Sequence, residues 1–206
     1  MTRTSTALCL AALLAAAPLA QSATVIDTGS PNGSAVGALA FDGIDWTAAR
    51  VSFAKAADVD AIQGHFLGGA AGETFDVSLL ADDAASGPGT LLYTTTATFG
   101  ADGWNGAVGL AGWTVAAGNY WVEFEIQGDD TLGSSSATGA LLDVGAPNAL
   151  ALTASTSDGG FSYTRDALAI GLRVDAVAVV PEPASAAQLT GGLLLLSSLT
   201  LVRRKR

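Results

Sequence analysis

Residues 120–127 read YWVEFEIQ and alternate apolar and polar side chains along their whole length. Because successive side chains of a β-strand point to opposite faces, Tyr120, Val122, Phe124 and Ile126 are predicted to share one buried face. The same alternation recurs in TFDVSLLAD (74–82) and DALAIGLRVDA (166–176), and turns rich in Gly and Asp separate these runs. The pattern predicts an all-β protein with about ten short strands, an antiparallel β-sandwich of jelly-roll type over residues 24–175.

Charge is distributed unevenly along the 206 residues. Residues 24–180 contain eighteen acidic and four basic side chains, whereas the last four residues are all basic. An acidic body repels phosphate backbones, so nucleic acid is not an expected partner. The single cysteine, Cys9, lies in an N-terminal apolar run, so the body can form neither a disulfide nor a thiolate metal site.

The N-terminus, MTRTSTALCLAALLAAAPLAQSA (1–23), has one basic residue, then a short apolar run, then small residues. This order is typical of a secretory signal peptide, and the apolar run is too short to cross a bilayer comfortably. We expect residues 1–23 to direct export, with cleavage between Ala20 and Ala23.

The C-terminus has a different composition. Residues 184–202 carry no charge, and as a helix they would span about 28 Å, which matches the hydrocarbon core of a membrane. The basic residues 203–206 would remain in the cytoplasm and leave the acidic body outside. The sequence therefore predicts a single transmembrane helix with a cytoplasmic tail.

A short motif, VPEP, precedes this apolar segment at residues 180–183, and the segment contains the glycine pair Gly191 and Gly192. Motif, apolar segment and basic cluster, in this order, resemble the PEP-CTERM sorting signal of Gram-negative bacteria. The motif residues are Val180, Pro181, Glu182 and Pro183, and the basic cluster is Arg203, Arg204, Lys205 and Arg206.

The resemblance implies an exosortase as processing enzyme, an inner-membrane-anchored precursor, and final delivery to the cell surface or extracellular matrix, often beside exopolysaccharide. The two prolines hold their segment extended and without backbone donors, as a protease substrate requires. A stiff linker before a plain anchor is the alternative reading of residues 176–183.

The body is similar, more loosely, to extracellular β-sandwich modules of such surface proteins. The similar pieces are an acidic loop that ends in Pro88 and Gly89, and a strand that opens with GNYW at residues 118–121. This similarity implies a fold and no defined activity.

Residues able to perform catalysis are few. His65 is the only histidine; it is predicted on a strand surface, without a nucleophile elbow or a second histidine for zinc. Glu123 and Glu125 superficially resemble the acidic strand of jelly-roll glycoside hydrolases, but Gln127, at the third position, cannot donate a proton. We therefore expect a non-catalytic structural or adhesive protein, with glycoside hydrolysis the least favoured alternative.

Glycan binding is the intermediate alternative. Trp121 shares the polar face of its strand with Glu123 and Glu125, and an aromatic plate beside carboxylates can stack on a sugar ring. Trp104, in the DGWNG turn (102–106), could add a second aromatic ring.

Paired acids in turns suggest a possible calcium site. Calcium requires six to eight oxygen ligands, and Asp82 with Asp83 is the best candidate pair. No other cofactor is predicted.

Overall fold

The computed structural model describes residues 23–31, 39–134, 139–148, 150 and 152–178. This part of the chain contains thirteen strands in two antiparallel sheets and no helix, so the predicted all-β antiparallel class is confirmed. None of the described segments is a helix able to span a membrane. The predicted signal peptide up to residue 22, the VPEP motif, the apolar segment 184–202 and the basic residues 203–206 lie outside the described residues.

The strands follow one another in short runs. They are β1 (Ala23–Asp27), β2 (Leu39–Phe41), β3 (Trp46–Phe53), β4 (Ala57–Leu67), β5 (Thr74–Asp83), β6 (Gly87–Thr98), β7 (Gly103–Val108), β8 (Thr114–Val115), β9 (Gly118–Glu125), β10 (Ala140–Leu142), β11 (Thr153–Thr156), β12 (Thr164–Asp166) and β13 (Leu172–Ala178). The first sheet has the order β1-β13-β4-β10-β2, with β7 and β8 also paired to β4. The second sheet has the order β12-β11-β3-β9-β5-β6.

Aromatic rings join the two sheets across a single main core. The ring of Phe66 on β4 lies 4.9 Å from that of Phe75 on β5 and 5.2 Å from that of Phe124 on β9. The inward positions predicted on β5 and β9 are confirmed, because Val77 and Val122 are fully buried beside these rings. Alternation over eight or more residues identifies an inward face reliably because a one-residue slip would expose every apolar side chain.

Gly64 on β4 allows the sheets to approach at this point. A Cβ added there would lie 2.7 Å from the ring of Phe66 and 2.9 Å from the ring of Phe124. These separations are below van der Waals contact, so the aromatic packing requires glycine at position 64.

The described chain begins and ends at the same end of the molecule. β1 pairs with β13, with Ala23 opposite Ala176, and Ala178 pairs with Ala57 on β4. The predicted boundary at residue 175 is therefore wrong by three residues, because β13 continues to pair with β4 through Ala178. The predicted linker accordingly begins after β13 rather than at residue 176.

Gly64→Ala tests the close approach of the sheets. The added methyl group must displace two aromatic rings, and overpacking of this kind costs roughly 1–3 kcal/mol. Gly43→Ala is the matched control, since nothing lies within 4 Å of its added Cβ, and its expected effect is within about 0.5 kcal/mol. Urea unfolding measures both, and equal effects of the two substitutions would contradict this account of the core.

Candidate functional site

The outer face of the second sheet is covered, and this burial creates the candidate site. Trp121, Glu123 and Glu125 on β9 are 0%, 1% and 4% exposed. Trp121 belongs to a second apolar cluster, separate from the main core, with Tyr163 packed against it. Tyr163 lies just before β12, in the β11–β12 hairpin. From Trp121 to Glu125, β9 is therefore buried on both of its faces.

The predicted role of Trp121 as an exposed aromatic plate is wrong. Its indole Nε1 donates a 2.7 Å hydrogen bond to Oδ1 of Asp82, and its ring is fully buried. The alternation placed Trp121 on the correct face of β9, but nothing local in the sequence shows that another part of the chain covers that face. A buried Trp with a bonded N–H is a structural residue.

Trp104 lies on the other sheet, so the predicted glycan-binding set is not assembled. It sits on β7 opposite His65, and its indole Nε1 donates to the hydroxyl of Ser30 at 3.3 Å. The guanidinium carbon of Arg173 lies 4.3 Å from the centre of its ring. The turn signal DGWNG concealed a strand, which carries Trp104 away from Glu123 and Glu125.

The carboxylates of the predicted calcium loop are occupied by protein donors. Oδ2 of Asp82 accepts a 2.8 Å hydrogen bond from Arg50, in addition to the bond from Trp121. Asp83 accepts the Ser86 hydroxyl at 2.5 Å and the Ala85 amide at 2.9 Å. The hydrogen bond from the Ser86 hydroxyl lowers the pKa of Asp83 most, and the backbone amides of Ala85 and Ser86 lower it further.

Over the described ranges, no group of three or more metal-ligating side chains occurs. The Asp82–Asp83 loop is a turn fixed by hydrogen bonds and one ion pair, and calcium binding there stays a prediction.

His65 is also less exposed than predicted, with 14% of its side chain accessible. Its Nδ1 lies 3.1 Å from Oδ2 of the fully buried Asp143, and its ring meets Trp104 edge-on at 5.3 Å. The sequence did not indicate Asp143, because it follows the three-residue strand β10, which is too short for alternation to be recognised. The contact between His65 and Asp143 connects β4 to the segment that follows β10.

A cleft of about 300 Å³ lies beside the β11–β12 hairpin, and we call it the outer cleft. It is lined by Trp46, Glu123, Glu125, Gln127 and Tyr163, among others. The Tyr163 hydroxyl donates a 2.6 Å hydrogen bond to Oε1 of Glu123, and the Gln127 amide donates to Oε2 of Glu125. The structure thus brings together the two predicted glutamates with two aromatic residues that the sequence did not indicate.

Hydrogen-bonding capacity remains unused in the outer cleft. Among the described residues, neither Oε2 of Glu123 nor Oε1 of Glu125 accepts a hydrogen bond. Trp46 also lines the cleft, and its buried indole Nε1 has no partner within the described part of the chain. A buried donor without a partner, such as this indole N–H, is uncommon in protein interiors and indicates either strain or a ligand.

Burial shifts the pKa values of Glu123 and Tyr163 at the outer cleft. Burial raises the pKa of Glu123 to about 8; the Tyr163 hydroxyl opposes this shift, and the negative charge of Glu125 adds to it. The pKa of the Tyr163 hydroxyl is also raised, first by burial and then by the negative charge of Glu123. At neutral pH Glu123 is therefore mostly a neutral carboxylic acid, able to donate as well as accept a hydrogen bond.

Asp158 holds the tip of the β11–β12 hairpin. It accepts hydrogen bonds from the hydroxyls of Thr156 and Ser162, both at 2.6 Å. The bond from Ser162, and then that from Thr156, lowers the pKa of Asp158 to about 2. The turn signal at 157–160 was visible in the sequence, but the short strands on either side gave no indication of where Tyr163 would lie.

No protein-family model matches this chain, and no curated protein is similar to it. The class that the described residues define is an all-β protein of two antiparallel sheets with a cleft on the outer face of one of them. The chemistry open to that cleft follows from its own geometry.

Asp82→Ala tests the structural role of the acidic turn. It leaves Arg50 and the buried N–H of Trp121 without their shared partner, which we expect to cost about 2–3 kcal/mol. Asp83→Ala is the matched control, with an expected loss of about 1 kcal/mol or less, because Asp83 is exposed and only caps its own turn. Calcium that stabilises the wild type but neither variant would instead support the calcium site.

Glu123→Gln tests the buried carboxyl through pH. The folded state holds the Glu123 proton up to about pH 8, whereas the unfolded chain loses it near the ordinary glutamate pKa, so the folded state binds more protons between these values. This stabilisation is complete below the unfolded pKa and is lost as pH rises through the folded pKa. Relative to Glu123→Gln, the wild type should lose a few kcal/mol of unfolding free energy between about pH 5 and about pH 9.

Urea midpoints at several pH values measure this difference. Asp60→Asn removes an acid from the other sheet and should follow the wild type. Parallel curves for Glu123→Gln and the wild type would contradict the buried neutral acid.

Proposed function

We propose that this chain is an exported, non-catalytic surface protein with a structural or adhesive role at the cell surface or in the extracellular matrix of a Gram-negative bacterium. Residues 1–23 direct export as a signal peptide. Residues 180–206, here called the sorting tail, hold the precursor in the inner membrane until an exosortase-type enzyme processes it. The order of VPEP, an uncharged segment and RRKR supports this proposal.

One structural observation carries most of the argument. Ala23 and Ala176 are paired neighbours, and β13 ends two residues later. The segments proposed as signal peptide and sorting tail are therefore joined to the same end of the folded body. With only residues 179–183 between β13 and the uncharged segment, this end would face the membrane in the precursor, and the opposite end would face outward.

The composition of the body fits this setting. Its strongly acidic balance keeps it solvated and away from nucleic acid, and it needs no disulfide to fold outside the cytoplasm. The proposed partners are the processing enzyme, the membrane before processing, and an exopolysaccharide afterwards.

The finer description of the body as a jelly roll belongs to the same proposal. Consecutive strands β3 and β4 lie in different sheets, as do β9 and β10. Crossings between sheets of this kind are typical of Greek-key sandwiches, among which jelly rolls are found.

Glycan binding is a second candidate function, and the outer cleft favours it. Unpartnered carboxylate oxygens and an indole N–H complement the hydroxyl groups of a sugar. β9 extends about 23 Å from Gly118, near the end where the chain leaves, to Glu125. The cleft would therefore remain accessible in a membrane-anchored precursor.

Mass spectrometry of the surface fraction, in a host that carries the processing enzyme, tests the sorting proposal. We expect the mature protein to lack residues 184–206. The double variant Pro181→Ala, Pro183→Ala should instead retain them, because it keeps the anchor but loses the extended, donor-free segment. A wild-type surface protein that still contains Arg206 would overturn the proposal.

A further inference from the structure

We propose that the outer cleft binds an amine-bearing sugar, a hexosamine unit whose amino group is a free ammonium. This inference rests on the second candidate function and gives its ligand a chemical class. Three features carry it: two glutamates with unused oxygens, the absence of a protein cation among the residues that line the cleft, and a buried indole donor.

The first feature is the pair of unused carboxyl oxygens. Glu123 and Glu125 are two apart on β9, so their Cα atoms are roughly 7 Å apart and their side chains project from the same face. Each glutamate is nearly fully buried, yet each uses only one oxygen within the described residues. An ammonium group has three donors and can bond both free oxygens at once.

The second feature is charge. No lysine or arginine lines the outer cleft in the described part of the chain. The guanidinium of Arg50 is paired with Asp82, and that of Arg165 donates to the carbonyl oxygens of Asp83 and Ala84. Buried carboxyl groups are normally either paired with a cation or neutral, so a ligand cation would supply the charge that the protein does not. The same acidic lining would reject sugars that carry carboxylate or sulfate groups.

The third feature favours a sugar over a simple amine. Nε1 of Trp46 is a buried donor that an ammonium cannot satisfy but a hydroxyl oxygen can. Gln127 is exposed at the cleft and adds an amide, while Tyr163 adds an aromatic ring. The volume, about 300 Å³, is at the small end of ligand pockets and suits one sugar ring with its substituents.

Binding should be coupled to proton release. An ammonium beside Glu123 favours the carboxylate over the neutral acid, so the Glu123 proton leaves to solvent as the ion pair forms. At pH 5.5 up to about one proton should be released per ligand bound, since free Glu123 is then mostly protonated and the sugar amine is already an ammonium. A neutral sugar would not release this proton.

Isothermal titration calorimetry of the full-length protein in detergent, at pH 5.5 and in 150 mM NaCl, tests the inference. The probes are a glucosamine tetramer, its fully N-acetylated counterpart and a uronic acid tetramer, each in two buffers of different ionisation enthalpy. We expect the glucosamine tetramer to bind with proton release, the acetylated tetramer to bind at least 10-fold more weakly, and the uronic acid tetramer not to bind.

Variants locate the binding. Glu125→Gln should weaken binding of the glucosamine tetramer at least 10-fold, and Glu123→Gln should abolish proton release. Asp60→Asn, which removes the same charge from the other sheet, should change neither. Urea unfolding of each variant confirms that it remains folded.

Three outcomes would overturn the inference. Equal affinity for the acetylated tetramer would show that hydroxyl groups alone are recognised. An equal loss with Asp60→Asn would show general attraction to an acidic protein. No binding of any tetramer would exclude amine-bearing sugars as the ligand. The second candidate function would then be decided by neutral oligosaccharides, and the sorting proposal independently by the mass of the surface protein.

Discussion

The burial of β9 on both faces is the constraint on which the rest of the molecule depends. On the inner side, Phe124 packs against Phe66 at 5.2 Å and connects the two sheets. On the outer side, Trp121 and Glu123 are buried, with Tyr163 of the β11–β12 hairpin packed against the apolar cluster of Trp121 and bonded to Glu123. A central strand that is buried on both faces needs hydrogen-bond partners for its polar side chains within the protein, because water no longer reaches them freely.

Those partners determine the character of the outer face. Asp82 bonds the indole of Trp121, and Tyr163 bonds Glu123, so both of these buried β9 side chains have a fixed polar contact. The contacts use only part of the capacity of the two glutamates. The hairpin that packs Tyr163 against the second apolar cluster also forms one side of the outer cleft. The carboxyl groups that line this cleft are incompletely hydrogen-bonded, and such groups are a frequent feature of binding sites.

The inward faces could be predicted from the sequence, because long runs of alternation on β5 and β9 leave only one arrangement that buries Phe75, Val77 and Phe124. Prediction failed for the outward faces. Trp121 and Trp104 were both assigned to one exposed surface, but one is enclosed and the other lies on the opposite sheet. Alternation identifies the side of a strand, and it carries no information on what packs against that side.

The sequence by itself determined the all-β class, the inward residues of the long strands, the acidic body without disulfides, and an expectation of export from its two ends. Only the tertiary structure decided which outward residues meet. Tyr163 bonds Glu123 across 40 positions of the chain, and Trp121 bonds Asp82 across 39. Contacts at such separations depend on the path of the hairpin and on the order of strands in the sheet, and local patterns of hydrophobicity do not encode either of them.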